Sequence, residues 1–125
     1  MTGTPVRIVI ADANQLYRNT LSSILHSKSN LQVVAEVEDG LAAIQAVEKH
    51  KPAVVVLDMG LPVIGGLDAT WVIKSKFPDV RVIVLSLHDL ESNSISACKA
   101  GACWCLTKDC SPTELIKAIM AVDNE

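Results

Sequence analysis

The segment Ala53-Val54-Val55-Val56-Leu57-Asp58 is a run of five aliphatic residues that ends in a carboxylate. A short continuous apolar run rich in β-branched residues predicts a strand that is buried on both faces. Lys51-Pro52 stands directly before it, and a residue before proline disfavours the helical conformation, so a preceding helix closes there. The segment therefore predicts a central strand of a parallel sheet, with Asp58 at its carboxyl end.

Strand-like and helix-like segments alternate outward from this run in both directions. Apolar residues at helical spacing predict five helices, and Ser111-Pro112-Thr113-Glu114 has the N-cap, proline and glutamate of a capping box at the start of the last one. Five βα units predict an α/β domain with a doubly wound parallel sheet and helices on both faces. With no repeat or linker, residues 1–125 are expected to form one domain. The predicted strands are Val6–Ala11, Leu31–Val37, Ala53–Leu57, Val80–Leu85 and Cys103–Thr107.

The composition bounds the classes of function. Half of the 125 residues are apolar, the net charge is -3, and no basic cluster marks a nucleic-acid surface. The aliphatic runs are much shorter than the about 20 residues of a membrane span, so a cytoplasmic protein without membrane contact is expected. The four cysteines lack zinc-ligand spacing and are predicted to pack as reduced thiols, with a redox or metal role as the alternative. They are Cys98, Cys103, Cys105 and Cys110.

Polar side chains stand at four predicted strand ends. Asp12, Asp58 and Ser86 follow the first, third and fourth strands, and Lys108 follows the fifth. Ligand sites in open α/β sheets form at the carboxyl ends of the strands, so these four groups are expected to converge. Each alone also has a plain structural explanation, such as a helix cap, a turn or a solvated charge. The set of four predicts a functional site.

Four motifs resemble those of response-regulator receiver domains, in the same order and at similar separations. They are Ile10–Arg18, Val55–Gly66 with proline four and glycine eight residues after Asp58, Val84–Asp89, and Ala100–Asp109. Details around Ser86 and Lys108 resemble the NarL/FixJ-type class, whose members usually carry a helix-turn-helix output domain after the receiver. The resemblance implies a flavodoxin-like sheet with strand order 2-1-3-4-5.

The resemblance also implies a role for each matching residue. Asp58 would be the nucleophile that accepts a phosphoryl group, and Asp12, Asp58 and the carbonyl of Gly60 would hold Mg²⁺. Ser86 and Lys108 would contact phosphate oxygens. A sensor histidine kinase would be the donor, and DNA would be contacted only through an output domain.

Two positions depart from the family pattern. Ala13 stands where a second acidic metal ligand is usual, which predicts weak Mg²⁺ binding, and Cys105 replaces a strand-five aromatic residue. These departures keep an alternative open, a pseudo-receiver that acts as an interaction module without phosphorylation. The last two helices and the fifth strand, with Lys99, Lys108 and Lys117, are expected to support a homodimer favoured by phosphorylation.

Two other classes are disfavoured. A flavodoxin-like binder of a small molecule would need a phosphate-cradling loop after the first strand, and residues 12–15 contain no glycine. Enzymatic turnover would need a nucleophile with a histidine base, and no such arrangement is recognisable, so the chain is not expected to be an enzyme.

Overall fold

The protein is described by a computed structural model that covers residues 4–87 and 90–123, with residues 90 and 91 covered by their backbone alone. Within these residues, five strands alternate with five helices. The strands are β1 Val6–Ala11, β2 Leu31–Val37, β3 Val54–Asp58, β4 Arg81–Ser86 and β5 Trp104–Thr107. The helices are α1 Gln15–His26, α2 Gly40–His50, α3 Gly66–Lys76, α4 Leu90–Ala100 and α5 Pro112–Asp123. None of the helices described is long and apolar enough to cross a bilayer.

The five strands form one parallel sheet in the order β2-β1-β3-β4-β5. β1 lies second from one edge, with β2 beside it at that edge. β3, β4 and β5 follow in order on the other side of β1. This confirms the predicted doubly wound fold and its strand order. The reversal of direction between β1 and β3 is the place where such sheets form their sites.

Alternate residues of each central strand pack on opposite faces of the sheet. Val9 and Val55 face one apolar cluster, whereas Ile8 and Val54 face the other. The first cluster is covered by α2, α3 and α4 and the second by α1 and α5. Because both faces are buried, the inner residues of the central strands are apolar, which is why β3 is an aliphatic run up to Asp58.

Helix ends follow the predicted capping chemistry, with small shifts at the strands. Ser111 Oγ accepts the Glu114 backbone N–H at 3.1 Å, so the predicted capping box is confirmed. Gly101 has a φ of 110°, in the left-handed region that glycine adopts without strain. β3 begins and ends one residue later than predicted, so Asp58 is its last residue. Residues 88 and 89, the end of the strand-four motif, lie outside the described residues.

The four cysteines differ in their surroundings. Cys105 packs against the first cluster, and Cys103 and Cys110 pack against the second, as small apolar residues do. Cys98 is exposed on α4, so the prediction of packing is wrong for this residue. The helix position explains the difference, because Ala97 beside it is fully buried and takes the inward place.

Candidate functional site

The four polar residues meet at one edge of the sheet. Asp12 follows β1, Asp58 ends β3, Ser86 ends β4 and Lys108 follows β5. β1, β3, β4 and β5 are consecutive neighbours in the sheet, so the four residues form a row across its carboxyl edge. The prediction that these residues converge is therefore met by the topology alone.

Lys108 joins the two carboxylates of this row. Its Nζ lies 2.6 Å from Asp12 Oδ2 and 3.9 Å from Asp58 Oδ2. The Lys108 and Asp58 side chains are each 13% exposed and that of Asp12 is 3% exposed, so water screens the three charges poorly. One ammonium between two carboxylates leaves a net negative charge that further cations can offset.

Asp12 is held rigidly and has one oxygen available to cations. Its Oδ1 accepts the backbone N–H of Asn14 at 2.8 Å, and Asn14, not Asp12, caps α1. Arg18 Nη1 donates to the Asp12 carbonyl at 2.6 Å and so fixes the backbone of this loop. Among the described residues, the buried Oδ2 has no hydrogen bond and contacts only the Lys108 ammonium. A capping role therefore does not account for Asp12.

The environment of Asp58 favours its protonated form more than water does. Burial raises the pKa of its carboxyl group, the Lys108 ammonium opposes this change, and the negative charge of Asp12 adds to it. The nearby backbone N–H groups of Gly60 and Met59 also act to lower its pKa. The Asp58 carboxylate is therefore partly desolvated and has a fixed ammonium 3.9 Å away.

Ser86 and Lys108 are fixed to each other through the backbone. The Lys108 N–H donates to the Ser86 carbonyl at 2.8 Å, which extends the β4–β5 ladder by one residue. Ser86 itself is 1% exposed. The hydroxyl and the ammonium are thus presented by adjacent strand ends of the same rigid sheet.

The loop after Asp58 is shaped by two unusual positions. A Cβ on Gly66 would lie 2.4 Å from the Asp58 carbonyl oxygen, so only glycine lets α3 begin this close to β3. Val63 has a φ of 69°, and the Ile64 N–H donates to the Pro62 carbonyl at 2.8 Å. This is a strained γ-turn, which a β-branched residue rarely adopts.

The donor set fits a divalent cation only in part. The buried Asp12 Oδ2 and the Asp58 carboxylate are hard oxygen ligands of the kind that Mg²⁺ prefers. Within residues 4–87 and 90–123, however, no group of three or more acidic, histidine or cysteine side chains is arranged to hold a metal. Ala13 is exposed beside Asp12 and contributes no ligand. Two carboxylates would have to suffice.

Two contacts of the site were not apparent from sequence. The helical spacing of apolar residues predicts that Tyr17 lies on the buried face of the first helix, and it predicts no role for Arg18. In the structure, Tyr17 donates a hydrogen bond to the Lys108 carbonyl, and Arg18 donates one to the Asp12 carbonyl. Their place in the first turns after Asp12 is the only sequence signal. The homodimer contact expected from the last two helices and the fifth strand stays a prediction, but the Lys108 side chain is directed to Asp12.

Known proteins resemble the chain in sequence. The sequence profile of the response regulator receiver domain matches residues 8–120. The transcriptional regulatory protein DegU of Brevibacillus brevis is 39% identical over 117 residues, which are 94% of this chain and 50% of that protein. The oxygen regulatory protein NreC of Staphylococcus epidermidis is 36% identical over 118 residues, 94% of this chain and 54% of that protein. The chain thus spans about half the length of these relatives.

Solved structures resemble it in fold. The receiver domain of the putative response regulator NarL from Mycobacterium tuberculosis has a TM-score of 0.93 and 30% identity, with 98% of both chains covered. A response regulator of the LuxR family from Aurantimonas has a TM-score of 0.91 and 29% identity, covering 97% of this chain and 86% of that one. Sequence profile, relatives and geometry agree, and the chain belongs to the response regulator receiver domain family.

Proposed function

We propose that Asp58 accepts a phosphoryl group and that Asp12, Ser86 and Lys108 assist the transfer. The observation that carries this proposal is the position of the Lys108 ammonium, 2.6 Å from Asp12 and 3.9 Å from Asp58 at one sheet edge. A fixed positive charge beside a desolvated carboxylate suits attack on a dianionic donor, because it offsets the repulsion between two anions.

The transfer itself needs few protein groups. A carboxylate oxygen of Asp58 forms a bond to phosphorus, and the bond from phosphorus to the donor breaks. When the donor is a phosphohistidine, the electron pair of the P–N bond leaves with the imidazole. The product is an acyl phosphate, whose oxygens Lys108 and the Ser86 hydroxyl would contact. The protein would therefore promote the transfer mainly by positioning the reacting groups and by neutralising charge on the phosphoryl oxygens.

Receiver domains generally bind Mg²⁺ at the phosphorylation site. In this chain, Asp12, Asp58 and the carbonyl of Gly60 would hold the ion. When bound, it neutralises charge on the transferring phosphoryl group. With Ala13 in place of an acidic ligand, the ion would keep an additional water and bind weakly, and phosphorylation by small donors would be slow.

The biological setting follows from the family and forms part of the proposal. A sensor histidine kinase would supply the phosphoryl group in the cytoplasm, and residues 1–125 would act as one receiver domain. Phosphorylation would favour a homodimer and control transcription through a DNA-binding output domain outside this chain, since the relatives named above are about twice as long. The chain would not act as an enzyme on small molecules.

The pseudo-receiver alternative has no support among the matched proteins. We would expect a pseudo-receiver to have lost the close arrangement of the acceptor carboxylate and the neighbouring lysine. Here the Lys108 ammonium lies 2.6 Å from Asp12 and 3.9 Å from Asp58. The departure at Ala13 weakens the metal site without removing the nucleophile. We therefore infer a working acceptor with a weak cation site.

Intact mass measurement tests the proposal. The chain is incubated for long times with acetyl phosphate, with and without Mg²⁺. We expect one added phosphoryl group that depends on donor and Mg²⁺ and is absent from Asp58→Asn. Asp109→Asn is the matched control, because this exposed carboxylate lies next to Lys108 and should not affect labelling. A wild-type chain that gains no phosphoryl group, or an Asp58→Asn variant that still gains one, would contradict the proposal.

A further inference from the structure

Tyr17 contacts Lys108 through both its aromatic ring and its hydroxyl group. The ring centroid lies 4.4 Å from Lys108 Nζ, and the hydroxyl donates to the Lys108 carbonyl at 3.4 Å. Tyr17 lies near the start of α1, 91 residues before Lys108 in sequence, so the fold brings them together.

These contacts add to the ion pair with Asp12 in restricting the Lys108 side chain. A lysine carries its charge on a flexible four-carbon stem, so its head must be held for it to meet a new anion at a fixed place. The face of an aromatic ring attracts a cation, and more strongly where water is excluded. The Lys108 side chain is 13% exposed, so the attraction acts in a poorly screened setting.

We propose that Tyr17 is a positioning residue, whose ring holds the Lys108 ammonium where it can meet a phosphoryl group on Asp58. This inference rests on the proposed function. It assigns the main effect to the ring face and a smaller one to the hydroxyl. Tyr17→Phe should therefore behave much like the wild type, whereas Tyr17→Leu keeps an apolar side chain and loses the aromatic ring.

Phosphorylation rates at varied acetyl phosphate concentration test the assignment. We expect Tyr17→Leu to lower the maximal rate about fivefold with little change in the donor concentration for half-maximal rate, and Tyr17→Phe to stay within about twofold. Leu16→Ala is the matched control, because this neighbour on α1 is 77% exposed. Equal rates in all variants, or equal slowing by leucine and phenylalanine, would overturn the proposal.

A spectroscopic measurement tests the contact between the ring and the ammonium directly. Tyr17 is the only tyrosine in the chain, so protein labelled with 3-fluorotyrosine gives one ¹⁹F resonance. Lys108→Met should shift this resonance in the unphosphorylated protein, whereas Lys117→Met, on the exposed side of α5, should not. A resonance that ignores Lys108→Met would overturn the inference.

The two tests fail in different ways. The ¹⁹F shift on Lys108→Met is measured without donor or metal, so it does not depend on phosphorylation. A wild-type chain without mass gain would refute the proposed function and leave the Tyr17–Lys108 contact standing. If Tyr17→Leu does not fold, the ¹⁹F measurement still decides whether the ring senses the ammonium.

Discussion

The Lys108 ammonium pairs closely with Asp12, at 2.6 Å, and lies 3.9 Å from the proposed acceptor Asp58. In the unphosphorylated chain, the lysine therefore compensates the buried carboxylate that has no other partner for its Oδ2 among the described residues. A phosphoryl group on Asp58 would bring additional negative charge to the more distant side. The lysine would then gain a stronger partner by a small movement.

The first prediction concerns Ala13, which stands where the family usually has an acidic metal ligand. Ala13→Asp should tighten Mg²⁺ binding at least about tenfold, about 1.4 kcal/mol, because a third carboxylate would join Asp12 and Asp58. Without metal, the same change should lower the free energy of unfolding by about 1 kcal/mol through repulsion. Calorimetric titration with Mg²⁺ and urea denaturation measure the two effects.

The control for this prediction is Gln15→Asp, which adds the same charge two residues further along, at an exposed position of α1. It should change Mg²⁺ affinity much less than Ala13→Asp does. If the wild type already binds Mg²⁺ as tightly as Ala13→Asp, another group completes the site and the explanation based on Ala13 is wrong.

The second prediction concerns the ionisation of Tyr17. Burial, with the nearby charges of Cys110, Asp12 and Asp58, raises its pKa from 10.0 to about 12. Between these values, the unfolded chain loses the phenol proton while the folded chain keeps it, so the stability falls as pH rises through this range. Absorbance of tyrosinate, which reports this single tyrosine, should show a midpoint near 12 in the native protein and near 10 in urea.

Tyr17→Phe provides the comparison for the alkaline range. Its free energy of unfolding should lack the decrease between pH 10 and 12 that the phenol contributes. A native midpoint equal to that in urea would mean that the ring is hydrated in solution and does not lie against Lys108.

How far the sequence predicts this molecule depends on the range of the interactions involved. The sheet and the row of Asp12, Asp58, Ser86 and Lys108 were predictable, because strands buried on both faces are continuous apolar runs and their ends fall at one edge. The closer pairing of Lys108 with Asp12 than with Asp58 was not predictable, because it depends on how deeply each of these carboxylates is buried. The contact of Tyr17 with residue 108 likewise depends on how α1 packs.

The third prediction concerns the strained turn at Val63. The residue is 74% exposed and has a φ of 69°, so its side chain contributes little burial while the backbone is strained. Val63→Gly should raise the free energy of unfolding by about 1 kcal/mol, because glycine adopts a positive φ without steric strain. Urea denaturation measures the change.

Val63→Ala keeps the Cβ that makes a positive φ unfavourable, and it should give no comparable gain. If the glycine and alanine variants were equally stable, the positive φ at this position would not be a source of strain.

The central claim, that Asp58 is the phosphoacceptor, is tested most directly by chemical trapping. Borohydride reduces an acyl phosphate to the alcohol, so a phosphorylated aspartate becomes homoserine, which peptide mass spectrometry locates. After treatment with acetyl phosphate and Mg²⁺, we predict homoserine at position 58 and aspartate at positions 12 and 109. Homoserine at another position, or none at position 58 in a chain that has gained a phosphoryl group, would contradict the account.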